Sequence, residues 1–133
     1  MTAPTKKKPV NSRAKGKRGE LQLAHTLTAL GYPAERGQQR KGGEDSPDVL
    51  CPSLAGFHIE AKFTATCQLH SPKKLAQWDA QARRDAGQFR TPLVVHRWNG
   101  CTTWWVRVLK PGLMPLWLPL PDFLAHLDPW RPV

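Results

Sequence analysis

No apolar run in this 133-residue chain is long enough to span a membrane, and no apolar block follows its basic N-terminus. Neither a membrane protein nor a secretory signal is therefore expected. Cysteine is scarce. Cys51, Cys67 and Cys101 are odd in number and share no tight repeated spacing, which argues against a disulfide framework and for reduced thiols in a cytoplasmic protein. Acid is scarce as well: ten Asp and Glu stand against twenty Lys and Arg. Residues 1–18 hold none of those acids but seven of the bases, Lys6, Lys7, Lys8, Arg13, Lys15, Lys17 and Arg18. A basic arm on a nearly balanced remainder suits a polyanion, because each neutralised phosphate releases counterions. The arm has no interleaved apolar or aromatic face, so a membrane surface is the poorer partner.

What is present reads as one domain with an appendage. Residues 1–16 carry Pro4, Pro9, Gly16 and lysines without apolar periodicity, which predicts a flexible basic arm ahead of a single domain over 17–133. Leu23, Ala24, Leu27 and Leu30 recur at helical spacing and predict a helix from about Arg18 to Leu30, stopped by Gly31. A short strand near Ala34–Arg36 and a Gly-rich loop follow. Two strand-like runs, around 48–51 and 57–63, are joined by "PSLAG". Ser71–Pro72 signals a helix start, with Leu75, Trp78, Ala82 and Ala86 on one face. "PLVVHRW" reads as a buried strand, Asn99–Gly100 as a hairpin turn and "TTWWVRV" as its partner. A Pro-broken edge strand and a short helix near Pro121 complete the chain. Strands grouped between helices predict an α/β domain with a mixed sheet.

Charge inside the strand pair is the informative feature. If "PSLAG" closes a hairpin, Cys51 pairs with Phe57, Val49 with Ile59 and Asp48 with Glu60. Two carboxylates then stand about 4.5–5.5 Å apart at Cβ, an arrangement that destabilises a sheet. Lys62 shares their face, while Val49, Ile59 and Ala61 turn to the core. A hard divalent cation would offset the repulsion, and Mg²⁺ favours one or two carboxylates plus water. Glu20 lies on the stripe of Leu23 and Leu27 and is either a first-turn acid favoured by the helix dipole or a third acid for the patch. Cys67 and His70, with Cys51 and His58, do not have the spacing of a closed zinc module. Of the six tryptophans, Trp104 and Trp105 are adjacent on a strand and must face opposite ways, so one lies outside the core and is available to stack on a base or to meet a second copy.

"SPD" and "IEAK", with twelve positions from Asp48 to Glu60, resemble the motif of the PD-(D/E)xK nuclease superfamily. The basic "KGKRGE" opening the first helix, the Gly-rich loop, and the helix with Gln81 leading to "PLVVHR" are similar to archaeal-type Holliday junction resolvases and their bacteriophage and prophage relatives. The resemblance spans roughly residues 13–107 and fails over the Trp- and Pro-rich end, 104–133. It implies a restriction-endonuclease-like mixed β-sheet flanked by helices. It further implies Asp48, Glu60 and Glu20 as metal ligands with the Ala61 carbonyl, Glu20 being a helix-borne acid that acts directly or through water, and Lys62 as catalytic lysine. Gln81 matches a glutamine of related nucleases, with Gln77 the alternative one turn away. Arg13, Lys15, Lys17, Arg18, Arg36, Arg40 and Lys41 would bind the phosphate backbone. The implied activity is Mg²⁺-dependent (or Mn²⁺-dependent) hydrolysis of branched DNA, foremost four-way junctions, by a homodimer, leaving 5′-phosphate and 3′-hydroxyl ends. Two other readings stand beside it: a restriction-like or repair nuclease on duplex or flap DNA, and a non-catalytic DNA-binding module.

Overall fold

Ser71, Pro72 and Gly31 punctuate the chain as local chemistry dictates. In the computed structural model, which describes residues 12–37 and 47–132, helix α2 spans Pro72–Ala86, and the Ser71 hydroxyl accepts the Lys74 amide N–H. Helix α1 spans Ser12–Ala29. It ends in the left-handed Gly31 (φ 95°), and the Tyr32 N–H returns to the Leu27 carbonyl at 2.9 Å. The start of α1 is six residues earlier than expected, so residues 12–16 are helix rather than arm. Arg, Ala and Lys are good helix formers, and the single Gly16 costs only about 1 kcal/mol. Residues 1–11 lie outside the described part.

Strand β1 is Glu35–Arg36, β2 Val49–Leu50, β3 Phe57–Thr64, β4 Thr91–Trp98, β5 Trp105–Val108 and β6 Leu116–Pro119, followed by helix α3 over Leu120–Ala125. The main sheet has the order β3-β4-β5-β6. β3 and β4 run parallel, with Glu60 beside Val94 and Lys62 beside His96, and the other neighbours are antiparallel. Parallel neighbours need a crossover, which α2 supplies. The tip of the β4–β5 hairpin turns at Asn99–Gly100 (φ 84° at Gly100), and Cys101 N–H donates to the Trp98 carbonyl.

The expected β2–β3 hairpin register is corrected by the structure. β2 pairs with β1 (Arg36 with Val49), and "PSLAG" forms a 3₁₀ turn over Pro52–Leu54. Between β2 and β3 only one backbone bond forms among the described residues, from Asp48 N–H to the Ile59 carbonyl at 2.9 Å. The physical reason lies in Asp48 itself. Its carbonyl accepts from Gly37 N–H at 2.9 Å, and its carboxylate takes the Ala61 N–H that a ladder partner would otherwise bind. The strands splay, yet Asp48 stays beside Glu60.

Both faces of β3 and β4 are covered. Ile59, Leu93, Val95, Val106 and Val108 pack with Leu23, Ala24 and Leu27 of α1 and with Phe123 of α3. Val94 packs against Trp78 and Ala82 of α2. The face carrying Glu60 is therefore not solvent, and Glu60 is only 2% exposed. Each fully buried Leu or Val contributes about 1.5–3 kcal/mol. A bidentate pair from Arg107 of β5 to Asp79 of α2, at 2.9 and 3.0 Å, locks α2 over the sheet. Of the six tryptophans, Trp78 and Trp104 are buried and the others half-buried, and of the adjacent pair Trp104 joins the core while Trp105 does not.

Helix α1 approaches β3 so closely that a Cβ at Gly19 would lie 2.9 Å from Cβ of Phe63. Gly19→Ala is expected to push α1, and Glu20 with it, off the sheet at a cost of about 1–3 kcal/mol, read as a shift in the urea midpoint. An unchanged midpoint would show that the helix is free to shift.

Candidate active site

β3 is the first strand of the main sheet, so one of its edges is not paired within that sheet. Residues on this edge can be reached from both faces, which is how α1 and α2 contribute to a single cleft. The cleft, about 520 Å³ in volume, is lined by Glu20 of α1, Asp48, Glu60 to Phe63 of β3, and Trp78 and Gln81 of α2, with Lys15 and Lys74 among its lining residues. Sequence reasoning thus named five side chains, Glu20, Asp48, Glu60, Lys62 and Gln81, that fold into one cavity.

Lys62 Nζ donates to Gln81 Oε1 at 2.8 Å, which places the glutamine rather than the exposed Gln77 at the site. Asp48 Oδ2 accepts from Ala61 N–H at 2.9 Å. A strand residue sends its N–H and C=O to the same side, so the Ala61 carbonyl leaves on the edge occupied by Asp48. Glu60 Oε1 lies 2.8 Å from Nε2 of the buried His58. Glu20 Oε2 takes a 2.6 Å ion pair from Arg36 Nε. Arg36, expected on the phosphate backbone, is thus committed in large part to Glu20. Lys15, Lys17 and Arg18 occupy the first turns of α1, whereas the Arg13 side chain, Arg40 and Lys41 fall outside the described residues.

The electrostatics follow from burial. Desolvation raises Asp48 from 3.8 to about 7, and the neighbouring Glu60 charge adds to the rise. Glu60 is raised from 4.5 to about 7, first by burial, with Asp85 adding and Lys62 opposing. Burial also raises Glu20 against the pull of Arg36. Two adjacent carboxyls whose ionisation is suppressed despite the nearby Lys62, with a strand carbonyl on the same edge, are hard oxygen donors. That donor set fits a divalent cation.

Two contributors, Asp85 and Lys74, escaped the sequence reading, and His58 entered it only as a member of a zinc set with the wrong spacing. His58, Glu60 and Asp85 bring ligand-capable atoms within 4.8 Å of one another on the α2 side of β3. His58 precedes Glu60 by two positions and so shares its face, and Asp85 follows Gln81 by four on the helix. Both periodicities were available, but only the crossover of α2 brings them together. Lys74, in the first turn of α2, reaches the cleft for the same reason. The cysteines are elsewhere: Cys51 Sγ bonds the Tyr32 carbonyl at 3.8 Å and Cys67 is exposed.

An acid and a lysine on the first strand of a mixed sheet, with a second acid beside them just ahead of β2 and a carboxylate from the first helix, is the arrangement of PD-(D/E)xK-type nucleases. The chain belongs to the family described as phage putative PDDEXK endonuclease, whose model matches residues 11–110. No curated protein matches it. Among solved structures it is similar to Hjc, a Holliday junction resolvase of the archaeal hyperthermophile Archaeoglobus fulgidus. The two are 17% identical over 81% of this chain and 91% of that one, with a TM-score of 0.45. Among the described residues, no helix is long and apolar enough to cross a membrane.

Proposed function

We propose that the protein is a Mg²⁺-dependent endodeoxyribonuclease that cleaves branched DNA, four-way junctions foremost, as a homodimer in the cytoplasm. The observation that supports this best is the buried Asp48–Glu60 pair with Lys62 held beside it by Gln81. A protein that only bound DNA would have no use for two carboxyls kept partly protonated by burial. The junction preference follows the resemblance of "KGKRGE" and "SPD…IEAK" to junction resolvases.

Asp48, Glu60 and the Ala61 carbonyl would hold the cation, with Mn²⁺ as an alternative. When bound, it supplies positive charge for the phosphoryl oxygens and acidifies water. The protein's own groups do the rest. Lys62 Nζ, fixed by Gln81, presents a positive donor to a phosphate oxygen or to the attacking water. Glu20, with its raised proton affinity, can accept a proton at the edge of the cleft. Lys15 and Lys74 flank the cleft from α1 and α2 and hold the strand. A two-fold dimer would present two such clefts to the two strands of a junction.

The test is cleavage of labelled four-way, flap and linear duplex substrates with and without Mg²⁺, beside Asp48→Asn. Expected are Mg²⁺-dependent cuts, fastest on the four-way substrate and absent in the variant. Preference for flap or duplex would point to a repair or restriction-like role on the same site. Equal cutting by Asp48→Asn would remove the proposed mechanism.

A further inference from the structure

His58 and Glu60 are two residues apart on β3, so the strand repeat sets their side chains beside each other on one face. His58 is 0% exposed, and its Nε2 lies 2.8 Å from Glu60 Oε1. Among the described residues this imidazole is the one N–H donor to the Glu60 carboxylate. We propose that His58 is a positioning residue, which ties back one Glu60 oxygen and leaves the other for the cation. A one-oxygen Glu60 biases the site toward Mg²⁺ and against Ca²⁺. The inference rests on the nuclease reading, in which Glu60 holds the cation.

The chemistry follows from what each group can donate. A glutamate that ligates a cation is ionised and only accepts hydrogen bonds, so the proton of the His58 contact sits on Nε2. Asp85 also brings a carboxylate oxygen within 4.8 Å of both groups. An ionised carboxylate cannot donate, and its charge opposes that of Glu60. Without the imidazole, Glu60 would stand between Asp48 and Asp85 with like charge on either side and no N–H to fix its torsions. The ring has no room to swing away, because it is fully buried on a strand paired along its whole length with β4.

The two cations differ in how they use a carboxylate. Ca²⁺ takes about six to eight oxygens in a flexible shell and often engages both oxygens of one carboxylate. Mg²⁺ demands a near-octahedral shell, keeps several waters and is held by one or two carboxylates. With Oε1 on the imidazole, the cleft receives one oxygen from Glu60 beside Asp48. That supply suits the smaller ion.

Binding of Mn²⁺ to the full-length protein without DNA tests this independently of cleavage. The bound ion is counted by electron paramagnetic resonance and displaced with Mg²⁺ or Ca²⁺. His58→Leu, which keeps bulk and loses the donor, is expected to weaken Mg²⁺ binding about 10–100-fold and Ca²⁺ binding less. His58→Gln, whose amide donates from the place of Nε2, should stay close to wild type for both ions. His58→Asn, one carbon shorter, should behave as His58→Leu does. Leu109→Ala, a core change under α2, should lower the Tm without altering the ratio of Mg²⁺ to Ca²⁺ affinity.

The inference is overturned if folded His58→Leu keeps the wild-type Mg²⁺ affinity or loses both ions equally, or if His58→Gln loses as much as His58→Leu. Loss of one bound Mn²⁺ in Asp85→Asn would overturn it too, by making His58, Glu60 and Asp85 ligands of an ion of their own. Should His58→Leu not fold, the comparison of His58→Gln with His58→Asn decides. Failure of the nuclease reading looks different: Asp48→Asn would then bind Mn²⁺ as wild type does. Abolished binding in Asp48→Asn with unaltered binding in His58→Leu removes this inference alone.

Discussion

Replacing Lys62 with alanine is expected to lower Mg²⁺-dependent phosphodiester cleavage by about 10²–10⁴-fold while leaving a folded protein. Lys62 is half-buried at the cleft, and its ammonium is held at 2.8 Å from Gln81 Oε1. The side chain supports no core contact comparable to that of Ile59 on the other face. Its loss therefore removes a positioned positive donor from the reaction centre without opening a cavity in the apolar core. Lys62→Arg should recover little, since a planar fork cannot occupy the position of a compact ammonium bound to one amide oxygen. Gln81→Ala should cost less, about tenfold, because the lysine remains but loses its fixed direction. Single-turnover cleavage with enzyme in excess separates these effects from weaker binding. Wild-type rates in folded Lys62→Ala would dissociate this cleft from the chemistry.

The second large effect is on stability, and its sign is unusual for a carboxylate. Asp48 titrates at 3.8 in its ordinary state and at about 7 in the folded protein. Between those values the folded chain holds a proton that the unfolded chain has released. The stability of the metal-free protein therefore falls as pH rises through this window, and the loss is complete above about 7. Glu60 acts in the same direction, since it also rises to about 7. His96 acts oppositely: burial among Trp78, Trp98 and Trp117 lowers it, so acid favours the unfolded state there.

Comparing wild type with Asp48→Asn cancels the His96 contribution. The Tm advantage of Asp48→Asn should grow from near zero at pH 4 to on the order of 5 °C at pH 8. Millimolar Mg²⁺ should shrink that advantage, because a cation bound to the folded wild type alone stabilises it by mass action. Tryptophan fluorescence follows both melts. Parallel Tm curves for the two proteins from pH 4 to 8 would mean that burial does not suppress ionisation of this pair.

The elements legible in the sequence were those governed by neighbours along the chain. Ser71–Pro72 and Gly31 set the start of α2 and the end of α1 through bonds reaching three to five residues. Alternation in "FHIEAK" placed Glu60 and Lys62 on one face and Ile59 and Ala61 on the other, and the structure keeps that division. Asp48 was placed beside them through a hairpin register that the structure does not keep, yet its side chain still reaches Glu60 and the Ala61 N–H. Helix α1 begins earlier than expected because the helix propensity of Arg, Ala and Lys outweighs the cost of Gly16.

Only the tertiary structure decided which strands meet. A five-residue link suggested a β2–β3 hairpin, but Asp48 gives its carbonyl to Gly37 and its carboxylate to Ala61, and β3 pairs in parallel with β4 across α2. That choice buries both faces of β3, brings Gln81, Asp85 and Lys74 over the acids, and turns Arg36 onto Glu20. By itself, the sequence determined the charged face of one strand, because a period of two needs no distant partner. The cleft around that face arose from long-range pairing, because a buried carboxylate pair is stable only where several elements converge to supply its donors and countercharge.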